Sequence, residues 1–207
     1  MKPLKKVILP FLLVPIVLGI VADLGMSIMV TLTFMVFMLN IVFAITEKSN
    51  FHKLYGTLPV KQSASILSRY LFSLIAIGIT AILSFVIFII LSIITSGRID
   101  WIYGIQFLAL SILIAVLFIS IQYPFYFKFE YTKASIMAIL PYIVCFAIGI
   151  PLLNYFMNNQ NFYQHIISVV NYFNSNILVF LLMIFVLSFL AITGSYLLSK
   201  KVQKKEF

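Results

Sequence analysis

Six apolar runs, separated by short polar intervals, set the layout of this chain: 7–22, 26–45, 68–95, 102–127, 135–156 and 177–198. An α-helix rises 1.5 Å per residue, so about 20 residues cross the roughly 30 Å hydrocarbon core of a bilayer. Met26–Ile45 has that length, and Ser68–Thr95 exceeds it, so its first turns are expected to protrude. Val7–Ala22 is shorter, so it tilts little or thins the bilayer locally. Pro10 and Pro15 kink it tolerably where neighbouring helices re-satisfy the backbone. It is not read as a cleaved leader, because Ile20 stands at the −3 position before Ala22, where a small residue is wanted. The pattern predicts an all-α transmembrane fold: one domain over 1–207, with six membrane-spanning helices.

The polar intervals carry the remaining information. Asp23 and Gly25 mark a tight turn, and Ser96–Asp100 another, with Trp101 and Tyr103 suited to the headgroup level. Thr46–Tyr70 is the long one. Within it Phe51, Leu54, Tyr55 and Leu58 recur at the spacing of one helix face, with Lys48, His52 and Lys53 off that face. Gly56 loosens this short helix and Pro59 ends it, having no N–H to give. Ser63 or Ser65 then caps the next helix. Two readings stay open for the amphipathic piece: a docking surface for a partner, or a helix lying on lipid. Asn40, inside the second run, reads as an interhelical hydrogen-bonding amide. Pro141, Gly149 and Pro151 interrupt the fifth run. After it comes a stretch with seven asparagines between Asn154 and Asn176, where Ile166, Ile167, Val169, Val170 and Phe173 predict a short helix on the outer surface.

Composition agrees with the pattern. With 63% hydrophobic and 9% charged residues, the chain is far from the soluble-domain range of about 45–50% and about 25%. The net charge of +9 raises nucleic acid as a partner, but the basic residues flank apolar runs, where they meet lipid headgroups instead. Thirteen of the fourteen lysines and arginines fall on one side of the six-span layout, and Arg98 alone on the other. Positive charge collects in the cytoplasm, so both termini are expected there, in a plasma membrane. Lys128, Glu130 and Lys133 form a second charged turn on the same side as Thr46–Tyr70, and Lys200, Lys201, Lys204 and Lys205 a basic tail.

The run Glu47-Lys48-Ser49-Asn50-Phe51-His52-Lys53-Leu54-Tyr55-Gly56-Thr57-Leu58-Pro59-Val60-Lys61, followed by Ser68-Arg69-Tyr70-Leu71, resembles the first cytoplasmic loop of ABC-2-type transporter permeases. The segment Tyr123–Ala134 resembles the second loop of a small bacterial subfamily that includes the phenol-soluble modulin export permeases. Glu130 stands where a glycine is common there, and Ser135 where a basic residue is often found. The resemblance implies a coupling helix between spans 2 and 3, with Glu47, Lys48, Phe51, His52, Lys53, Leu54, Tyr55, Leu58 and Pro59 meeting an ATP-hydrolysing partner. It also implies a homo- or heterodimer of permease chains, ATP and Mg held by the partner ATPase subunits, and export of amphipathic peptides or other apolar substrates. Related permeases also carry outer helices between their last two spans.

What the chain lacks narrows the chemistry. There is no G-x-x-x-x-G-K-[ST] loop to cradle phosphates, no H-E-x-x-H and no G-x-S-x-G elbow; Gly194-Ser195 has no such motif around it. A single cysteine, Cys145, and two scattered histidines give neither an internal disulfide nor a metal set. The spans hold no ionisable side chain near their middle, as a proton- or sodium-coupled carrier needs. No catalytic role or cofactor is therefore expected of this chain itself. The rival reading is a non-transporting immunity or anchoring subunit that binds a partner through its cytoplasmic loops. A lipid-modifying enzyme ranks third, for want of clustered His, Asp or Glu.

Overall fold

The computed structural model describes residues 13–21, 23–48, 62–129, 131–144, 147–148, 150–158 and 160–203. They are helical throughout, apart from the connecting turns, with no strand among them. We number the helices α1 (13–21), α2 (Leu24–Lys48), α3 (Gln62–Ser96), α4 (Trp101–Lys128), α5 (Tyr131–Val144), α6 (Ile150–Asn158), α7 (Gln160–Ser175) and α8 (Ile177–Gln203). Among the described residues, Ser63–Thr95, Trp101–Lys128 and Ile177–Val202 are long and apolar enough to cross a membrane, and Leu24–Asn40 and Lys133–Val144 are shorter apolar helices. At 35 residues, α3 is about 52 Å long and outreaches the hydrocarbon core.

Local chemistry explains where the helices stop. Gly97 takes a positive φ of 63°, which costs a glycine little, and its N–H closes α3 on the Ile93 carbonyl at 3.2 Å. Ser92 Oγ donates to the Arg98 carbonyl at 2.8 Å, satisfying the turn from inside. Asp100 caps α4 by accepting from the Tyr103 N–H at 3.1 Å. Asp23 does lie in a turn, but Gly25 does not: it is buried inside α2, with Phe107 of α4 filling the space a side chain would need. The expected interruption of the fifth run appears as separate helices α5 and α6, with a π-helical turn at 147–148 between them. The short helix expected around Ile166–Phe173 is longer, spanning all of Gln160–Ser175.

Residue pairs fix the helix directions. Gly104 meets Phe88, and the Tyr70 and Tyr123 rings are 4.9 Å apart, so α3 and α4 run antiparallel. Gln106 Nε2 donates at 2.8 Å to Oδ1 of Asn174, in the last turn of α7 just before α8 begins, and Ser195 Oγ donates to the Ser120 carbonyl at 2.7 Å, so α4 and α8 run parallel. Asp23, Asp100, Tyr103 and Asn174 thus gather at one end of the bundle, and Arg69, Tyr70, Phe127 and Ser199 near the other.

The core is apolar, with Ile28, Leu32, Val36, Phe88, Val116 and Ile119 buried in it, but unlike a water-soluble bundle the exterior is apolar as well. Along α3 the buried face repeats Ile66, Tyr70, Ser73, Ala76, Ile77, Thr80, Ala81, Ser84 and Phe88, largely small or hydroxylated. The opposite face shows Ile75, Ile79, Ile82, Val86 and Ile94, with Ile82 at 68% exposure and Ile94 at 74%. No soluble surface carries so much contiguous apolar area, whereas lipid tails are as apolar as isoleucine. Close packing of small residues therefore replaces hydrophobic burial as the force between helices.

Candidate functional site

In a lipid-embedded helix a serine or threonine hydroxyl is satisfied most cheaply by its own backbone one turn back. Thr31, Thr80 and Ser111 do this, donating to Ser27, Ala76 and Phe107 carbonyls at 2.6–2.7 Å. Ser195 does not. Its hydroxyl leaves α8 for the Ser120 carbonyl of α4, while Tyr70 Oη of α3 lies 2.6 Å from it. Ser199, one turn further along α8, stands 2.9 Å from the same Tyr70 hydroxyl.

The proton order follows by elimination. A carbonyl only accepts, so the Ser195 proton is committed to Ser120; Tyr70 must then donate to Ser195, and Ser199 to Tyr70. Three helices are joined through one relay of hydroxyls, with Tyr70, Ser195 and Ser199 all buried. Aromatic rings surround it: Tyr196 edge-on to Tyr70 at 6.1 Å, Phe127 stacked at 6.5 Å, and the Arg69 guanidinium 5.5 Å over Phe127. Ser73 Oγ donates to the Tyr70 carbonyl at 2.8 Å and also lies within hydrogen-bonding reach of Tyr123.

Of the residues singled out in the sequence, Phe51, His52, Lys53, Leu54, Tyr55, Leu58, Pro59 and Glu130 lie outside the described residues. Glu47 and Lys48 close α2. Lys128 is exposed at the end of α4 with its ammonium 4.9 Å over the Phe129 ring, and Lys133 is exposed in the first turn of α5. Both belong to the same end of the bundle as the relay. Asn40 is buried as expected, but among the described residues its Oδ1 accepts no hydrogen bond. Ser195 was legible only as a serine without a nucleophile motif, and nothing in the sequence ties it to Tyr70, 125 residues away. Among the described residues no group of three His, Cys, Asp or Glu side chains is placed to hold a metal ion.

At the far end Asp23 accepts from the Tyr103 hydroxyl, joining α1–α2 to α4. Glycines there act as notches: Gly104 receives Phe88, Gly25 receives Phe107, and Gly19 faces Leu91 and Ser27. What the two ends of the bundle share is mechanical linkage between helices.

The family model for "ABC-2 family transporter protein" matches residues 1–204. A comparison with curated proteins and with solved structures gives no match.

Proposed function

From the chain's membership of the ABC-2 family of transporter proteins, which it belongs to over nearly its whole length, we propose that it is the permease subunit of an exporter driven by separate ATPase subunits. Six spans place both termini and the two charged turns in the cytoplasm of the cell that bears it. Two permease chains, identical or different, enclose the path. The stretch Phe51–Leu58 docks against the ATPase, and closure of the ATPases on ATP and Mg presses on it. The tilt that follows opens a route between the two halves. The cargo is amphipathic peptide or another apolar molecule, in keeping with spans whose buried polar residues are hydroxyls and amides rather than charges.

The observation that carries this reading is the family match across 1–204. The lopsided distribution of basic residues and the lack of a phosphate-binding loop support it. The test is biochemical. Purified permease is expected to hydrolyse ATP no faster than background, and hydrolysis is expected to appear when the cognate ATPase co-purifies. Robust turnover by the isolated chain would overturn the assignment.

Sidedness is checked separately. On a Cys145→Ser background, single cysteines replacing Lys53, Lys128 or Lys204 are expected to stay shielded from an impermeant thiol reagent in whole cells. Cysteines replacing Asp100 or Asn161 are expected to label. Equal labelling at Lys53 and Asn161 contradicts six spans.

A further inference from the structure

We propose that Tyr70 is a positioning residue that hands displacement of the cytoplasmic interval 46–61 to α8 through Ser195 and Ser199. The proposal rests on the coupling role given above to that interval. Among the described residues Tyr70 is the first side chain after the interval that is both buried and hydrogen-bonded to another helix, just over two turns beyond Gln62. Its ring is held on several sides, by Tyr123, Phe127 and Tyr196, so movement of the start of α3 cannot leave the hydroxyl behind.

The relay is directional in a second sense. Ser195 forgoes the carbonyl of its own helix to reach Ser120 of α4, and so ties α8 to α4 and α3 at one level. Each hydroxyl in the chain donates to the next, and the terminal acceptor is a backbone carbonyl that cannot rotate away. A shift of α3 is thereby imposed on α8 at two points one helical turn apart, Ser195 and Ser199, which fixes rotation as well as translation. Arg69 over Phe127 couples the same turn of α3 to the end of α4, next to Lys128. Near this end of α8 Leu197 and Leu198 face outward, while Ser195 and Ser199 are buried and Tyr196 packs on Tyr70.

Tyr70→Phe tests this, because it keeps every ring contact and removes only the hydroxyl. Spin labels at the exposed Leu67 and Leu197, on the Cys145→Ser background, report the distance between α3 and α8 in the permease–ATPase complex. In the parent complex the distance distribution is expected to shift when ATP and Mg are added. In Tyr70→Phe the shift is lost, while ATPase recovery and hydrolysis stay within about twofold. Loss of two neutral hydrogen bonds, to Ser195 and from Ser199, also predicts about tenfold or more faster amide exchange over 196–203 in the permease alone. Ser195→Ala should behave likewise, and Ser195→Thr, which keeps a hydroxyl, should restore the parent behaviour. An unchanged ATP-driven shift in Tyr70→Phe overturns the relay and leaves the coupling role standing. A parent complex that forms but shows no shift overturns the relay too, and with it the coupling role on which it rests.

Discussion

Alanine at both Phe51 and Tyr55 is expected to leave expression and membrane insertion normal but to strip the ATPase from the permease in a detergent pull-down. The spacing of both residues puts them on the apolar face expected of the Thr46–Tyr70 interval. Truncating an aromatic anchor at the centre of an interface costs about 2 kcal/mol or more, which is about thirtyfold in affinity for each. Lys48→Ala and Lys53→Ala should cost less than about 1 kcal/mol, since exposed ion pairs are screened and mobile. The ordering separates the two readings of this stretch. A helix held by lipid loses membrane affinity on either kind of change and leaves ATPase recovery untouched. Full recovery of the ATPase with the Phe51→Ala, Tyr55→Ala permease would sink the docking assignment.

The second large effect is expected at Gly104. A Cβ added there would sit 2.5 Å from Phe88 Cε1 and 3.2 Å from Phe85 Cε2. Phe88 is 1% exposed, so its ring has nowhere to go. Gly104→Leu should therefore destabilise by about 1–3 kcal/mol through overpacking. For a chain of this size that lowers Tm by about 2–4 °C per kcal/mol. The sign should reverse at Gly78 and Gly194, where an added Cβ meets nothing within 4 Å. Alanine at either should be neutral or stabilising by up to about 1 kcal/mol, because glycine is the poorer helix former. Adding Phe88→Leu to Gly104→Leu should recover part of the loss, as partners in direct contact do in double-mutant cycles. Equal melting of Gly104→Leu and the parent would show that Phe88 is not seated as described.

The sequence made the long helices legible because their signal is sheer apolar length. The expected run 102–127 became Trp101–Lys128, and 177–198 became Ile177–Gln203. Ser68–Thr95 began six residues late against Gln62, since the polar turns before Arg69 carry no apolar signal yet continue the helix. Gly25 misled, because a glycine beside an aspartate looks like a turn, whereas this one makes room for Phe107 within a helix. Asn40 is buried as an amide in an apolar run should be, though among the described residues its Oδ1 has no partner. The Tyr70 relay was invisible because its members are scattered among apolar runs and mean nothing until three helices bring them together. Periodicity reports which face of a helix is apolar, and says little about which hydroxyl will find which carbonyl across a bundle.

The rings seated in glycine notches at the Asp23–Tyr103 end have a kinematic consequence. Phe88 in the notch of Gly104 and Phe107 in that of Gly25 are ball-in-socket contacts. Sliding either helix along its axis would drive the ring into the neighbouring turn, where side chains replace the glycine, while a small rotation about the socket meets no such obstacle. A push at the Tyr70 end, of the kind proposed above, would therefore be barred from acting as a piston and converted into swing about a fixed fulcrum. The travel of each helix then grows with its distance from that fulcrum, so the longest excursions fall on the ends of α3 and α4 that carry Arg69, Phe127 and Lys128.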